Sequence, residues 1–277
     1  MDGKDPRHLN ASQLNSTSYI LPALDHEFLL GDSMRGVRFL LEYEKAEESL
    51  RAWGVRSTIV VFGSARIAET GPAKHAHWYA AARAFGRLAS EYGGALTTDG
   101  NARDNVIATG GGPGIMEAAN RGAREAGAPS IGFNISLPKE QEPNPYSTPE
   151  LTFRFHYFAM RKLHLAMRAN ALVAFPGGFG TLDELFEILT LRQTDKSPAI
   201  PIILFDQQYW KSVINFEALI ANGVIAQSDC NLFRFAETAE EVWSNLISCG
   251  LGVPGLSCAA SHYRQTTHSS AGHRARS

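Results

Sequence analysis

Ala171–Phe175 (ALVAF) runs without a break into Pro176–Glu184 (PGGFGTLDE), and from Thr181 to Gln193 the apolar residues recur at helical spacing. A short apolar run, a glycine-rich turn and a helix in direct succession are the unit from which parallel sheets are built. Working outward, the same alternation repeats. The apolar runs are Thr58–Phe62 (TIVVF), Asn105–Ala108 (NVIA), Ser130–Ile135, Ala171–Phe175 and Ala199–Phe205. They read as strands buried on both faces. Helical patterns lie between them at His75–Tyr92, Gly114–Ala126, Phe158–Arg168 and Thr181–Gln193, with a last one at Thr238–Ser248. The expected fold is α/β: a single-domain, doubly wound, Rossmann-like parallel sheet with helices on both faces.

That domain is expected over residues 57–250. A helical extension (residues 18–56) precedes it, dominated by a helix Ser33–Trp53 capped by Asp32 or Ser33 and stopped by Gly54. Residues 1–17 are polar, residues 257–277 are rich in Ser, His and Arg, and both read as flexible tails. With 28 acidic residues against 26 Lys and Arg, the chain of 277 residues lacks the basic excess that nucleic acid selects for. No apolar run approaches the roughly 18 residues of a spanning helix, and no secretory leader is visible. A cytoplasmic protein with neither nucleic-acid nor membrane partners is expected. The three cysteines, Cys230, Cys249 and Cys258, make no metal or redox pair, and no His-containing motif supplies a metal site.

In a doubly wound sheet, ligands bind beyond the carboxyl ends of the strands. Three turns there stand out: Gly63-Ser64-Ala65-Arg66, Thr109-Gly110-Gly111-Gly112-Pro113-Gly114, and Pro176 to Glu184. Glycine lets the backbone approach a ligand, and a helix opening at such a turn offers free N–H groups to an anion, so a phosphate-bearing ligand is expected. Neither Gly-rich turn completes G-x-G-x-x-G, and no G-K-S/T follows, which argues against nicotinamide and ATP sites of the usual kind. Thr181 and Glu184 also fit a capping box, in which each side chain would serve the other's backbone N–H. On the helix Phe158–Arg168, Met160, Leu163 and Met167 read as the core face, and Arg161 and Arg168 share another face, from which Arg161 reaches toward the glycine turn.

Pro176–Glu184 matches P-G-G-x-G-T-x-x-E, and Arg161-Lys162 begins fifteen residues before its proline. In these motifs the chain resembles the Lonely Guy (LOG) family, the cytokinin riboside 5'-monophosphate phosphoribohydrolases often mislabelled lysine decarboxylases, and in particular its longer members. The resemblance runs from about Ser57 to Ser248. It implies hydrolysis of the N-glycosidic bond of a nucleoside 5'-monophosphate, a cytokinin riboside monophosphate or an AMP-like one, to free base and ribose 5-phosphate, with no cofactor and no metal. It places catalysis on Arg161 and Glu184, and substrate binding on Lys162, Gly177, Gly178, Phe179, Gly180, Thr181, Thr190, Gly111, Gly112 and Glu140. It also implies a homodimer or higher homo-oligomer. The chemistry suits Glu184, since a carboxylate stabilises an oxocarbenium-like ribose and activates water. The alternative from another class is a non-catalytic nucleotide or molybdenum-cofactor carrier of the same fold.

Overall fold

The computed structural model describes residues 9–96, 102–137 and 142–254. The chain divides into two compact units, Met1–Lys45 and Ala46–Ser277. The first holds two short helices, α1 (Ala11–Leu14) and α2 (His26–Leu30), of which α2 is capped by the Asp25 carboxylate accepting from Phe28 N at 3.0 Å. Helix α3 (Arg35–Ala52) begins in this unit and ends in the next. Neither Asp32 nor Ser33 caps it. Both lie in a 3-10 turn, Asp32–Met34, that leads into the helix, and Asp32 pairs with Arg35 instead. Gly54 does stop it: with φ +65° it adopts the left-handed conformation that lets Val55 N reach back to Leu50 O.

The second unit is built on seven parallel strands: β1 (Thr58–Phe62), β2 (Val106–Thr109), β3 (Ser130–Ile135), β4 (Thr152–Phe155), β5 (Ala169–Ala174), β6 (Ile202–Phe205) and β7 (Arg234–Ala236). Their order is β4-β3-β2-β1-β5-β6-β7. The expected doubly wound fold is therefore present, with the order reversing at β1. Its helices are α4 (Ala73–Tyr92), α5 (Ile115–Glu125), α6 (Phe158–Met167), α7 (Phe179–Gln193), α8 (Gln207–Val213), α9 (Phe216–Ala221) and α10 (Ala239–Ser248). The two edge strands were absent from the sequence reading. β4 alternates partly buried, buried and exposed residues because it has one strand neighbour, and β7 is three residues long, so neither makes a continuous apolar run.

Alternation along β1 sorts the core into two layers. Ile59 and Val61 pack with Ala82 and Phe85 of α4, Ile115 and Ala119 of α5, and Val242 of α10. Val60 and Phe62 pack on the other face with Leu165 of α6, Leu185 and Ile188 of α7, and Trp210 of α8. Helices α4 and α5 approach closely because Gly86 and Gly122 present bare backbone. A methyl group on Gly122 would run into the Arg83 carbonyl, and one on Gly86 into the Ala119 carbonyl.

Gly122→Ala is therefore expected to lower the unfolding free energy by about 2–3 kcal/mol through overpacking. Gly36→Ala, on an open stretch of α3 with nothing within 4 Å, should leave it unchanged or raise it by up to about 1 kcal/mol. Urea unfolding of the two variants distinguishes a packing role from a mere helix-propensity effect.

Candidate active site

The carboxyl ends of β1 and β5 lie side by side, with Phe62 registered against Ala174, at the point where the strand order reverses. A cleft of about 650 Å³ opens beside them. From the turn after β1 it takes Gly63, Ser64 and Arg66; from the turn after β5, Gly177 to Thr181; and beyond these Met116, Arg161 and Tyr209.

The two glycine-rich turns, alike in sequence, do different things. At Gly114 (φ +74°) helix α5 begins against the β1 loop, where Ile115 N donates to Ser64 O at 3.2 Å and a methyl on Gly114 would strike that same carbonyl. One N–H of the α5 N-terminus is thus taken up within the fold. Gly111 and Gly112 are buried, and their carbonyls accept from Asn144, backbone N at 2.8 Å and Nδ2 at 3.1 Å respectively. They serve as a mount for the loop before β4 rather than as cleft wall. Asn144 Nδ2 also donates to Asn120 Oδ1 at 3.0 Å, and Asn120 Oδ1 in turn accepts from Thr109 Oγ1 at 2.7 Å. This buried network carried no motif in the sequence.

The turn before α7 is open. Gly178 and Gly180 have nothing within 4 Å of where a side chain would stand, and Phe179 between them is 93% exposed. Gly177 is the reverse case, packed so tightly against Thr181 Oγ1 and Ser64 N that a Cβ has no room. The capping box is not formed. Helix α7 starts at Phe179 with Gly178 as its cap, Thr181 N donates to Gly178 O at 3.0 Å, and the Glu184 side chain turns elsewhere.

It turns to Arg161, whose Nη2 donates to Glu184 Oε1 at 2.7 Å. Both side chains are largely out of solvent, 12% and 4% exposed. Burial raises the Glu184 pKa above the ordinary carboxylate range, against the opposing pull of Arg161 and Lys162. Arg161 lies on the cleft, over the Phe158 ring at 5.1 Å, while Glu184 sits behind it on a narrow crevice with Val60, Phe62 and Lys162. Lys162 does not face the open turn. Its Nζ is held by Asp183 at 2.8 Å and Glu187 at 3.1 Å, and although burial works against the charge, these carboxylates leave its pKa raised.

Helix α6 corrects the sequence reading. Its buried residues are His164 and Leu165, while Leu163 and Met167 are exposed. The inward face runs Arg161, His164, Leu165, Arg168, spaced i, i+3, i+4, i+7, with an ion pair at each end. Arg168 takes Glu47, Nη2 to Oε2 at 3.0 Å, and His164 stacks near Phe133 and Phe155. A face with arginine at both ends reads as solvated when residues are sorted by type alone. Thr190, on α7, is exposed, donates its hydroxyl to Phe186 O at 2.7 Å, and lies outside the cleft lining. Glu140 lies outside the described residues. Two polar cleft residues lie outside the expected catalytic and binding set: Arg66, in a turn that stood out in the sequence, and Tyr209, which did not. Arg66 is exposed with no side-chain partner among the described residues, and Tyr209 Oη donates to Gly177 O at 2.7 Å. Among the described residues no group of three or more His, Cys, Asp or Glu side chains is placed to hold a metal, and no helix is long and apolar enough to cross a membrane.

Residues 116–246 match the family model described as possible lysine decarboxylase. The chain is 26% identical over 145 residues to a probable cytokinin riboside 5'-monophosphate phosphoribohydrolase, LOG4, of Oryza sativa subsp. japonica, a match covering 51% of this chain and 62% of that one. To LOG3 of Arabidopsis thaliana it is 27% identical over 145 residues, 51% of this chain and 66% of the relative. The chain resembles the Lonely Guy family in sequence. Its match spans less than two thirds of the length of these relatives. The solved structure of the protein TM1055, 22% identical, superposes on 69% of this chain and 99% of its own with a TM-score of 0.50, a likeness of fold.

The Arg161–Glu184 pair generates a pH prediction. A carboxyl whose folded pKa is raised stabilises the fold when protonated, and that contribution is lost as pH rises through the folded value. Glu184→Gln, neutral at every pH, should therefore melt at or above the parent's temperature near pH 7. The difference should shrink toward zero as pH falls below the ordinary glutamate value of 4.5. Thermal melts across pH 4 to 8 measure it, and a variant that is less stable only at neutral pH would show that the Arg161 attraction outweighs burial.

Proposed function

We propose that this chain hydrolyses the N-glycosidic bond of nucleoside 5'-monophosphates, releasing the free base and ribose 5-phosphate. The observation that carries the reading is a charged Arg161–Glu184 pair, 2.7 Å apart and nearly excluded from water, beside an open glycine turn at the strand-order reversal. The relatives named as cytokinin riboside 5'-monophosphate phosphoribohydrolases support it.

The phosphate fits the Gly178–Thr181 turn, where the dipole of α7 favours an anion, with Arg66 across the cleft free to pair with it. Departure of the base leaves positive charge on the ribose, which the Glu184 carboxylate stabilises and against which it activates a water. Because Arg161 lines the cleft and Glu184 lies behind it, this role requires the guanidinium to move onto the substrate and uncover the carboxylate. Binding energy from the phosphate, remote from the bond that breaks, is available to drive that rearrangement. A decarboxylase reading of the family description fares poorly. Schiff-base chemistry needs a neutral amine, and Lys162, beside Arg161, is held protonated by Asp183 and Glu187.

We also propose a homodimer. Phe158, Leu163, Met167, Phe179 and Phe186 leave an exposed apolar surface on α6 and α7.

Incubating the protein with a panel of nucleoside monophosphates and detecting ribose 5-phosphate tests the activity directly. AMP should be cleaved far better than adenosine, and equal rates would refute phosphate recognition. Glu184→Gln should lower turnover by about 10² to 10⁴. Arg161→Lys, which keeps the charge without the planar fork, should be strongly impaired. Normal turnover in both folded variants would remove the mechanism.

A further inference from the structure

Tyr209 stands on α8, just past the end of β6, far in sequence from the turn it touches. Its position is set by a chain of contacts. Asp206, in the left-handed conformation at φ +68°, caps α8 by accepting from Tyr209 N at 2.8 Å and accepts from Trp78 Nε1 at 2.9 Å. The Tyr209 ring packs edge-on against Trp78 and Trp210, with centroids at 5.6 and 5.3 Å. So braced, its hydroxyl donates to Gly177 O at 2.7 Å. Burial pushes the phenol pKa up, which keeps the proton in place for that bond.

In a trans peptide the C=O of one residue and the N–H of the next point in opposite directions. No peptide bond among the described residues is cis. Holding the Gly177 carbonyl toward α8 therefore fixes the Gly178 N–H on the far side of that peptide. Gly178 is exposed there, with open space around it, and its N–H has no acceptor among the described residues. The preceding carbonyl, Pro176 O, is fixed separately by Ser64 N at 3.0 Å. Neither residue of the Gly177–Gly178 peptide has a side chain with which to hold this orientation. Resting on the functional reading above, we propose that Tyr209 is the positioning residue of the phosphate turn: its hydroxyl orients the Gly177–Gly178 peptide so that the Gly178 N–H meets a phosphate monoester.

Tyr209→Phe in the full chain removes the hydroxyl and keeps the ring packed on Trp78 and Trp210. Ser212→Ala removes a different hydroxyl of α8, which bonds Tyr209 O at 2.7 Å, and serves as the comparison for general loosening of the helix. Ribose 5-phosphate affinity is measured by calorimetry, with KM and kcat on AMP and a melting curve beside it. Tyr209→Phe is expected to weaken ribose 5-phosphate and to raise KM by about 5- to 30-fold, the loss of one oriented hydrogen bond, with kcat at saturation and melting temperature little changed. Ser212→Ala should behave as the parent.

Ribose 5-phosphate affinity within about twofold of the parent, or an equal loss in Ser212→Ala, overturns the proposal. If the parent binds ribose 5-phosphate but cleaves no nucleotide, the hydrolase reading fails, and the calorimetric comparison still decides the role of Tyr209. If the parent binds no ribose 5-phosphate, the phosphate turn and the role of Tyr209 fall together.

Discussion

A carboxylate removed from water needs a cation beside it to keep its charge, and the stretch from Arg161, near the carboxyl ends of the strands, to Arg168, at the amino end of β5, is organised around that requirement. Glu184 and Glu47 are both nearly inaccessible, and the guanidiniums that answer them, Arg161 and Arg168, project from one face of α6. At Glu47 the bond from Arg168 outweighs burial and lowers the carboxyl pKa, so losing one partner of that pair typically costs about 3–5 kcal/mol, whereas at Glu184 burial outweighs the pull of Arg161. Two pairs seven residues apart on the same helix therefore fix its rotation and its register together. Once α6 is so fixed, its apolar residues Leu163 and Met167 have nowhere to go but outward, and Arg161 has nowhere to go but the cleft.

The same constraint separates the two glycine turns. Backbone N–H groups at a helix start must find an acceptor, and at α5 the fold itself provides one in Ser64 O. At α7 the Gly178 N–H has no acceptor among the described residues, which leaves that terminus available to a ligand. Glycine content does not distinguish the cases; what distinguishes them is whether a neighbouring carbonyl reaches the helix start first. Ser64 links both, since its carbonyl closes one turn while its N–H holds Pro176 of the other.

Much of this was legible in the residues. Uninterrupted apolar runs such as TIVVF and ALVAF can only be strands covered on both faces, and they are. Arg161 and Glu184, singled out by motif, meet in space. What could not be read was whatever depends on partners distant in sequence. β4 and β7 owe their existence to a neighbouring strand rather than to their own composition. The inward face of α6 is polar at both ends because its counter-charges come from α3 and α7. Asn120 and Asn144, whose mutual bond mounts a loop on the Gly111–Gly112 turn, are unremarkable in type and belong to no pattern. Lys162 sat in the right place in the motif, yet two acidic residues on α7 claim it.

The reversal of strand order at β1 has a kinetic consequence. β1 finds one neighbour in β2, but its other neighbour, β5, lies about 110 residues further along the chain. The sheet's middle thus closes only after a long loop has been drawn together, which costs entropy before any contact repays it and makes folding slow relative to proteins of local topology. During synthesis the nascent chain carries one bare side of its central strand until β5 has left the ribosome. The site is finished in the same event, since the β5 turn is half of its wall.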